Sequence, residues 1–181
     1  MRRNLNNLIS VIFSFVRLCL LKLFCGNNLR FKLIERISPN VVIEIEKDGK
    51  LFLGNKVRIH SGSKIKVRSN AKLILETNVH LNYNCIIVCR KSVYIGEGTE
   101  FGPSVYIYDH DHDYQKGLEK QSFTIGEVKI GKNCWIGANT IILKGTNIGD
   151  NCVIGAGSVI KENIPDNSVF IQKRESCLIK F

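Results

Sequence analysis

Residues 130–161 read IGKNCW-IGANTI-ILKGTN-IGDNCV-IGAGSV-IK, and this stretch decides the fold. Isoleucine returns every sixth residue at Ile130, Ile136, Ile142, Ile148, Ile154 and Ile160. Glycine follows it at Gly131, Gly137, Gly149 and Gly155. Asn or Gly stands three residues after each of the first five isoleucines (Asn133, Asn139, Gly145, Asn151, Gly157), and both enter positive φ at low cost. A small or hydroxyl residue comes next: Cys134, Thr140, Thr146, Cys152, Ser158. A period of six suits neither a helix nor a long alternating strand. It predicts short strands joined by corners, three to a coil, with the aliphatic residue pointing inward.

The same clock runs earlier with jitter. Leu53-Gly54, Ile59, Ile95-Gly96, Phe101-Gly102 and Ile107 keep the step, and the pairs between them vary in spacing. About five coils are expected from Leu51 to Ile160, with Val41/Ile43 as a starter and Ile164 to Phe181 leaving the solenoid as a cap. Tyr108 to Glu127 is off the clock and contains Asp109-His110-Asp111-His112-Asp113-Tyr114. An excursion between regular coils is where function is usually mounted.

The 181 residues carry a formal charge of +10, yet residues 1–40 hold seven basic residues against one acid, Glu35. The excess therefore rides on a leader. No nucleic-acid motif accompanies it, and its aromatics are not interleaved with basic residues as a nucleic-acid surface requires. The seven cysteines include no CxxC, which argues against a zinc ribbon and for a reduced, cytoplasmic setting. Cys134 and Cys152 read as small interior residues. The leader, residues 1–38, predicts an amphipathic basic helix with Arg3, Asn6, Ser10, Ser14 and Arg17 as a polar stripe. Arg17, near the middle of the apolar run, argues against a membrane span. Two placements stay open: peripheral on an anionic membrane at its inner face, or packed by its apolar face on the protein or a neighbouring subunit. Residues 39–181 form the second unit, with the loop at 108–127.

Taken together, residues from about Asn78 to Ile164 resemble the hexapeptide-repeat sugar O-acetyltransferases, which are left-handed β-helices. The resemblance rests on Leu81-Asn82-Tyr83-Asn84-Cys85, on Val105-Tyr106-Ile107-Tyr108 leading to His112, on Val128 to Gly137, and on Ile148 to Val159. It implies an all-β, left-handed parallel β-helix with an N-terminal amphipathic helix and an extruded loop. It also implies acetyl transfer from acetyl-CoA to a carbohydrate hydroxyl without a metal, in a homotrimer with active sites between subunits. Counting from Val105 as first residue places the family's general-base histidine eighth, at His112, with His110 as the rival by proximity. A base of near-neutral pKa is what a sugar hydroxyl needs during attack. Asp109 and Asp111 are expected to orient the imidazole or meet substrate. By the same resemblance the Ala138 amide stabilises the oxyanion, Asn82 and Asn84 contact the acceptor, and Trp135 sits beside the cleft. Ala156 and Gly157 would line the pantetheine channel, and Lys161, Lys173 and Arg174 would meet coenzyme A phosphates.

The expected setting is bacterial surface polysaccharide synthesis, with a lipid-linked glycan as one form of the acceptor. Within the same fold, serine or amino-sugar acyl transfer is an alternative. A γ-carbonic-anhydrase-like enzyme is another, although His60, His80, His110 and His112 show no zinc-triad spacing, and a non-catalytic solenoid is a third.

Overall fold

The six-residue repeat winds into a parallel β-helix. A computed structural model, which describes residues 2–116, 122–173, 175, 177 and 179, shows the chain passing from a first to a second to a third sheet and back. Among the described residues these sheets hold six, seven and six strands. Pairing between coils is parallel, consistent with a left-handed β-helix. Register stacks like on like. Leu51, Leu73, Val93 and Val128 form a column in the first sheet. Ile59, Leu81, Phe101, Ile136 and Ile154 form one in the second. Ile65, Ile87, Ile107, Ile142 and Ile160 form one in the third. All are buried, and these columns are the core.

The narrowing interior beside the corners takes small residues, as the repeat requires. Cys134 and Cys152 are buried there as free thiols. Buried Thr140 and Ser158 donate to the carbonyls of Gly137 and Gly155 at 2.7 and 2.6 Å, so their hydroxyls enter the core satisfied. The corner between the second and third sheets stacks Gly62, Asn84, Ser104, Asn139 and Gly157, all at φ between 57 and 78°. A Cβ on Gly62 would lie 2.0 Å from Asn84 Oδ1, so a larger residue there requires the exposed Asn84 side chain to turn away.

Both ends differ from expectation. The winding starts at Leu29–Arg30 and Arg36–Ile37, inside the stretch expected as lead-in. It also continues past Ile164, because Val169–Phe170 pairs with Val153–Ile154. The coil is 22 residues long at the N-terminal end (Ile37 to Ile59) and 16 at the C-terminal end (Ile154 to Phe170), against 18 between Ile136 and Ile154, and these departures from the period hid the strands.

Helix α1, Arg2–Cys25, closes the N-terminal end. Terminal strands leave backbone groups without a neighbour. The helix supplies partners from its polar stripe. Ser14 Oγ accepts from the Ile37 amide at 2.8 Å and donates to the Ser10 carbonyl at 2.7 Å. Arg17 donates to the carbonyls of Ser38, Pro39 and Val41. Leu18 is buried between them in the core. Ser10, Ser14 and Arg17 of the stripe thus face the protein, and the apolar face turns outward, with Leu23 79% and Phe24 89% exposed. A polar stripe expected to face water is consumed by the open edge of the first coil.

Candidate active site

The excursion leaves the third sheet after Tyr106–Tyr108, at the corner leading back to the first sheet. It forms an antiparallel hairpin of His110–His112 with Phe123–Ile125. Asp109 anchors it. The side chain is fully buried, and its carboxylate accepts from the backbone amides of Arg90, Lys91 and Ser92 at 2.8, 2.7 and 2.9 Å. Burial alone would raise this carboxyl. His110 and the amides of Arg90 and Lys91 more than offset it and hold the group below the ordinary carboxylate range. Beside it, burial and then the Asp109 charge push the Cys89 thiol upward, so that cysteine is no nucleophile.

His110 is the imidazole this anchor orients. Its Nδ1 lies 3.1 Å from Asp109 Oδ1, and only 12% of its side chain is exposed. With Nδ1 as donor, Nε2 keeps its lone pair for a proton acceptor's role. His112 is exposed and leans on Phe123, with ring centroids 4.7 Å apart. The residue count from Val105 therefore lands two positions beyond the oriented histidine. Asp111 is also exposed and pairs with Lys144 at 2.9 Å, not with an imidazole. Asp109, expected to orient the imidazole or meet substrate, is fully buried and accepts backbone amides and the His110 ring. Arg90, which stands with Cys89 where some members of the resembling family carry an acidic residue, lies with its guanidinium 3.5 Å from the Phe123 ring centre and clamps the hairpin base. No spacing signal marks it.

The remaining expected residues gather on another edge, between the second and third sheets. Asn82 is half-buried, and its Oδ1 accepts from the Tyr83 amide at 2.9 Å, which leaves the side-chain NH₂ for a ligand. Asn84, at φ +60°, is an exposed corner residue. Ala138 and Ala156–Gly157 follow on later coils of the same edge. Among the described residues nothing accepts from the Ala138 amide, as an oxyanion donor requires. Trp135 points outward from the second sheet and is 60% exposed. Lys161 and Lys173 are exposed at the C-terminal coils, and Arg174 lies outside the described residues.

His110 and the Asn82–Ala138 edge do not meet within one chain. A strand of the third sheet separates them, roughly 15 Å at about 3.3 Å per residue. Among the described residues no three His, Cys, Asp or Glu side chains converge as metal ligands.

Comparison with known proteins agrees with the repeat and the fold. A family described as "Hexapeptide repeat of succinyl-transferase" matches residues 127–162. Nodulation protein L of Rhizobium meliloti (strain 1021) is 46% identical over 89 residues, 49% of this chain and 49% of that protein. Galactoside O-acetyltransferase of Lactococcus lactis is 38% identical over 94 residues, 51% and 45% of the two chains. The chain thus spans about half the length of the curated relatives it matches. AntD, an N-acyltransferase from Bacillus cereus solved with dTDP and coenzyme A, shares the fold at TM-score 0.69 and 21% identity, covering 82% of this chain and 81% of its own. The chain carries the hexapeptide repeat on a parallel β-helix and is similar, over about half its length, to a nodulation protein and a sugar O-acetyltransferase.

Proposed function

We propose that the protein transfers acetyl from acetyl-CoA to a carbohydrate hydroxyl. The observation that carries this is the buried Asp109 holding His110 on the hairpin that interrupts the repeat. His110 Nε2 takes the hydroxyl proton as the oxygen attacks the thioester carbonyl. The Ala138 amide meets the oxyanion, and collapse expels coenzyme A as a thiolate, which takes the proton held on His110. Asn82 orients the acceptor, and Trp135, Ala156 and Gly157 flank the coenzyme arm, with Lys161 and Lys173 toward its phosphates. Similarity to the galactoside enzyme supports a saccharide acceptor, and 30% identity over 102 residues to a "Putative lipopolysaccharide biosynthesis O-acetyl transferase" of Escherichia coli supports surface polysaccharide synthesis as its setting.

The site is completed between copies. The third sheet borders both functional edges, and its outward side chains Ile86, Val88, Tyr106, Tyr108, Ile141 and Val159 make an apolar face. Packing that face around a threefold axis brings the His110 edge of one copy to the Asn82–Ala138 edge of the next. Mixing His110→Ala and Asn82→Ala chains tests this. Shared sites regain activity in mixed oligomers, whereas sites within one chain regain none.

Helix α1 is the membrane contact in this reading. It is long and apolar enough to cross a bilayer. Arg17 ties it flat onto the first coil, so its outward face enters only the interface. Lys22, Arg30 and Lys32 beside it suit anionic headgroups.

A further inference from the structure

The outer face of the second sheet carries a line of basic side chains that the acyl-transfer reading does not use. Register sets Arg36 beside Arg58 and Arg58 beside His80. Arg36, Arg58, His60, Ser38 and Ser10 of α1 line one cavity of about 160 Å³. The His60 ring lies 4.9 Å from His80 and 4.7 Å from Tyr83. His80 Nε2 is buried without a hydrogen-bond partner among the described residues. Glu100, next to His80 in register, is the neighbouring carboxylate, and no described carboxylate forms an ion pair with Arg58. Burial, then the charges of Arg36 and Arg58, holds His60 below its ordinary pKa. Cations crowded this way repel one another, and an anion seated among them relieves the repulsion.

We propose that this cavity binds the phosphoryl or pyrophosphoryl group of a phosphorylated saccharide acceptor. Guanidinium forks suit phosphoryl oxygens, and Ser10 and Ser38 add hydroxyls. Position supports the assignment. The His60 amide donates to the Leu81 carbonyl at 3.0 Å, so the cavity adjoins Asn82 across one coil. Arg58 lies one coil and two residues from Asn82, and Arg36 two coils and two residues, roughly 8 and 12 Å at the ~4.8 Å strand spacing and ~3.3 Å rise per residue. That span matches a sugar ring at Asn82 joined to a phosphoryl group at the arginines. The assignment of the sugar end rests on the acyl-transfer reading; the anion site does not. Two sources share this chemistry, a lipid-linked saccharide pyrophosphate and a soluble nucleotide sugar.

The test is calorimetric titration of the intact chain with inorganic pyrophosphate. Saturable binding is expected, weakened about tenfold or more by Arg58→Gln, less by His60→Gln, and unchanged by Lys50→Gln, an equal charge loss on the first sheet. If Arg58→Gln lowers the thermal midpoint, Arg58→Lys replaces it, keeping the charge and losing the fork, with weakening still expected. Absence of saturable binding, or equal weakening by Lys50→Gln, overturns the site. Displacement by uridine diphosphate or by polyprenyl diphosphate in micelles supports it, the tighter competitor naming the source; displacement by neither overturns it. Pyrophosphate binding without acetyl-CoA turnover would sink only the acyl-transfer reading, and the reverse result only this one.

Discussion

Asp109 Oδ1 stands 3.1 Å from His110 Nδ1 while the same carboxylate accepts three consecutive backbone amides, those of Arg90, Lys91 and Ser92. One buried group thus fixes the corner and the imidazole together. Asp109→Asn would turn an amide NH₂ toward some of these donors. It is expected to cost about 3 kcal/mol of stability at neutral pH, as breaking a buried charged network does. The folded carboxyl titrates below its unfolded value. Its contribution is therefore present above the ordinary carboxylate range and lost as pH falls through the lower folded value. Denaturant unfolding at pH 7 and pH 3 checks this: the gap between wild type and variant should narrow at the lower pH.

Glu35 runs the opposite way. It is buried beside the first coil, accepts from the Lys32 amide at 3.1 Å, and burial pushes its pKa up to about 7. A carboxyl raised on folding costs nothing below its unfolded pKa. The cost grows as pH climbs toward the folded value and is complete above it. Glu35→Gln keeps the acceptor without the charge. It should stabilise the protein by on the order of 2–3 kcal/mol at pH 8.5 and by nothing at pH 4, by thermal or denaturant unfolding. Equal effects at both pH values would refute this.

Gly62 and Gly145 share positive φ, at 78° and 79°, but differ in surroundings. A Cβ on Gly62 meets Asn84 Oδ1 at 2.0 Å, whereas nothing lies within 4 Å of one on Gly145. Gly145→Ala should cost about 1 kcal/mol from backbone strain alone, and Gly62→Ala about 1 kcal/mol more from turning the Asn84 side chain away. Paired unfolding curves read the difference.

The outward face of α1 is accessible to mutation without touching its capping contacts. Leu20→Glu with Phe24→Glu should leave the thermal midpoint within a degree or two. Binding to vesicles containing anionic lipid should fall about a thousandfold, since each of the two buried side chains contributes ~2 kcal/mol. Unchanged vesicle binding would remove the membrane from the proposal. Deleting the helix is a poorer test, because Ser14, Arg17 and Leu18 close the first coil.

The fold was legible because a repeat writes itself many times: Ile130 to Ile160 specify the coil whatever their neighbours do. The ends were not, since Leu29, Ile37 and Phe170 join the sheets by tertiary pairing across irregular spacing. The polar stripe of α1 was visible, but not its direction, which depends on strand edges the helix meets only when folded. At the site, the excursion was plain. The choice between His110 and His112 was not, because it turns on Asp109 being drawn into amides from the preceding coil, a contact between residues 18 or 19 apart. The apolar outer face of the third sheet was hidden by alternation, which mixes its residues with core ones.

The most direct measurement is acetyl transfer from acetyl-CoA to a panel of saccharides by His110→Ala and His112→Ala proteins at equal, folded concentration. His110→Ala should slow transfer about 10²–10⁴-fold and His112→Ala by no more than a few-fold, as loss of a general base or of an exposed neighbour would. Full activity in His110→Ala, or its loss in His112→Ala alone, would contradict the assignment of the oriented imidazole as the base.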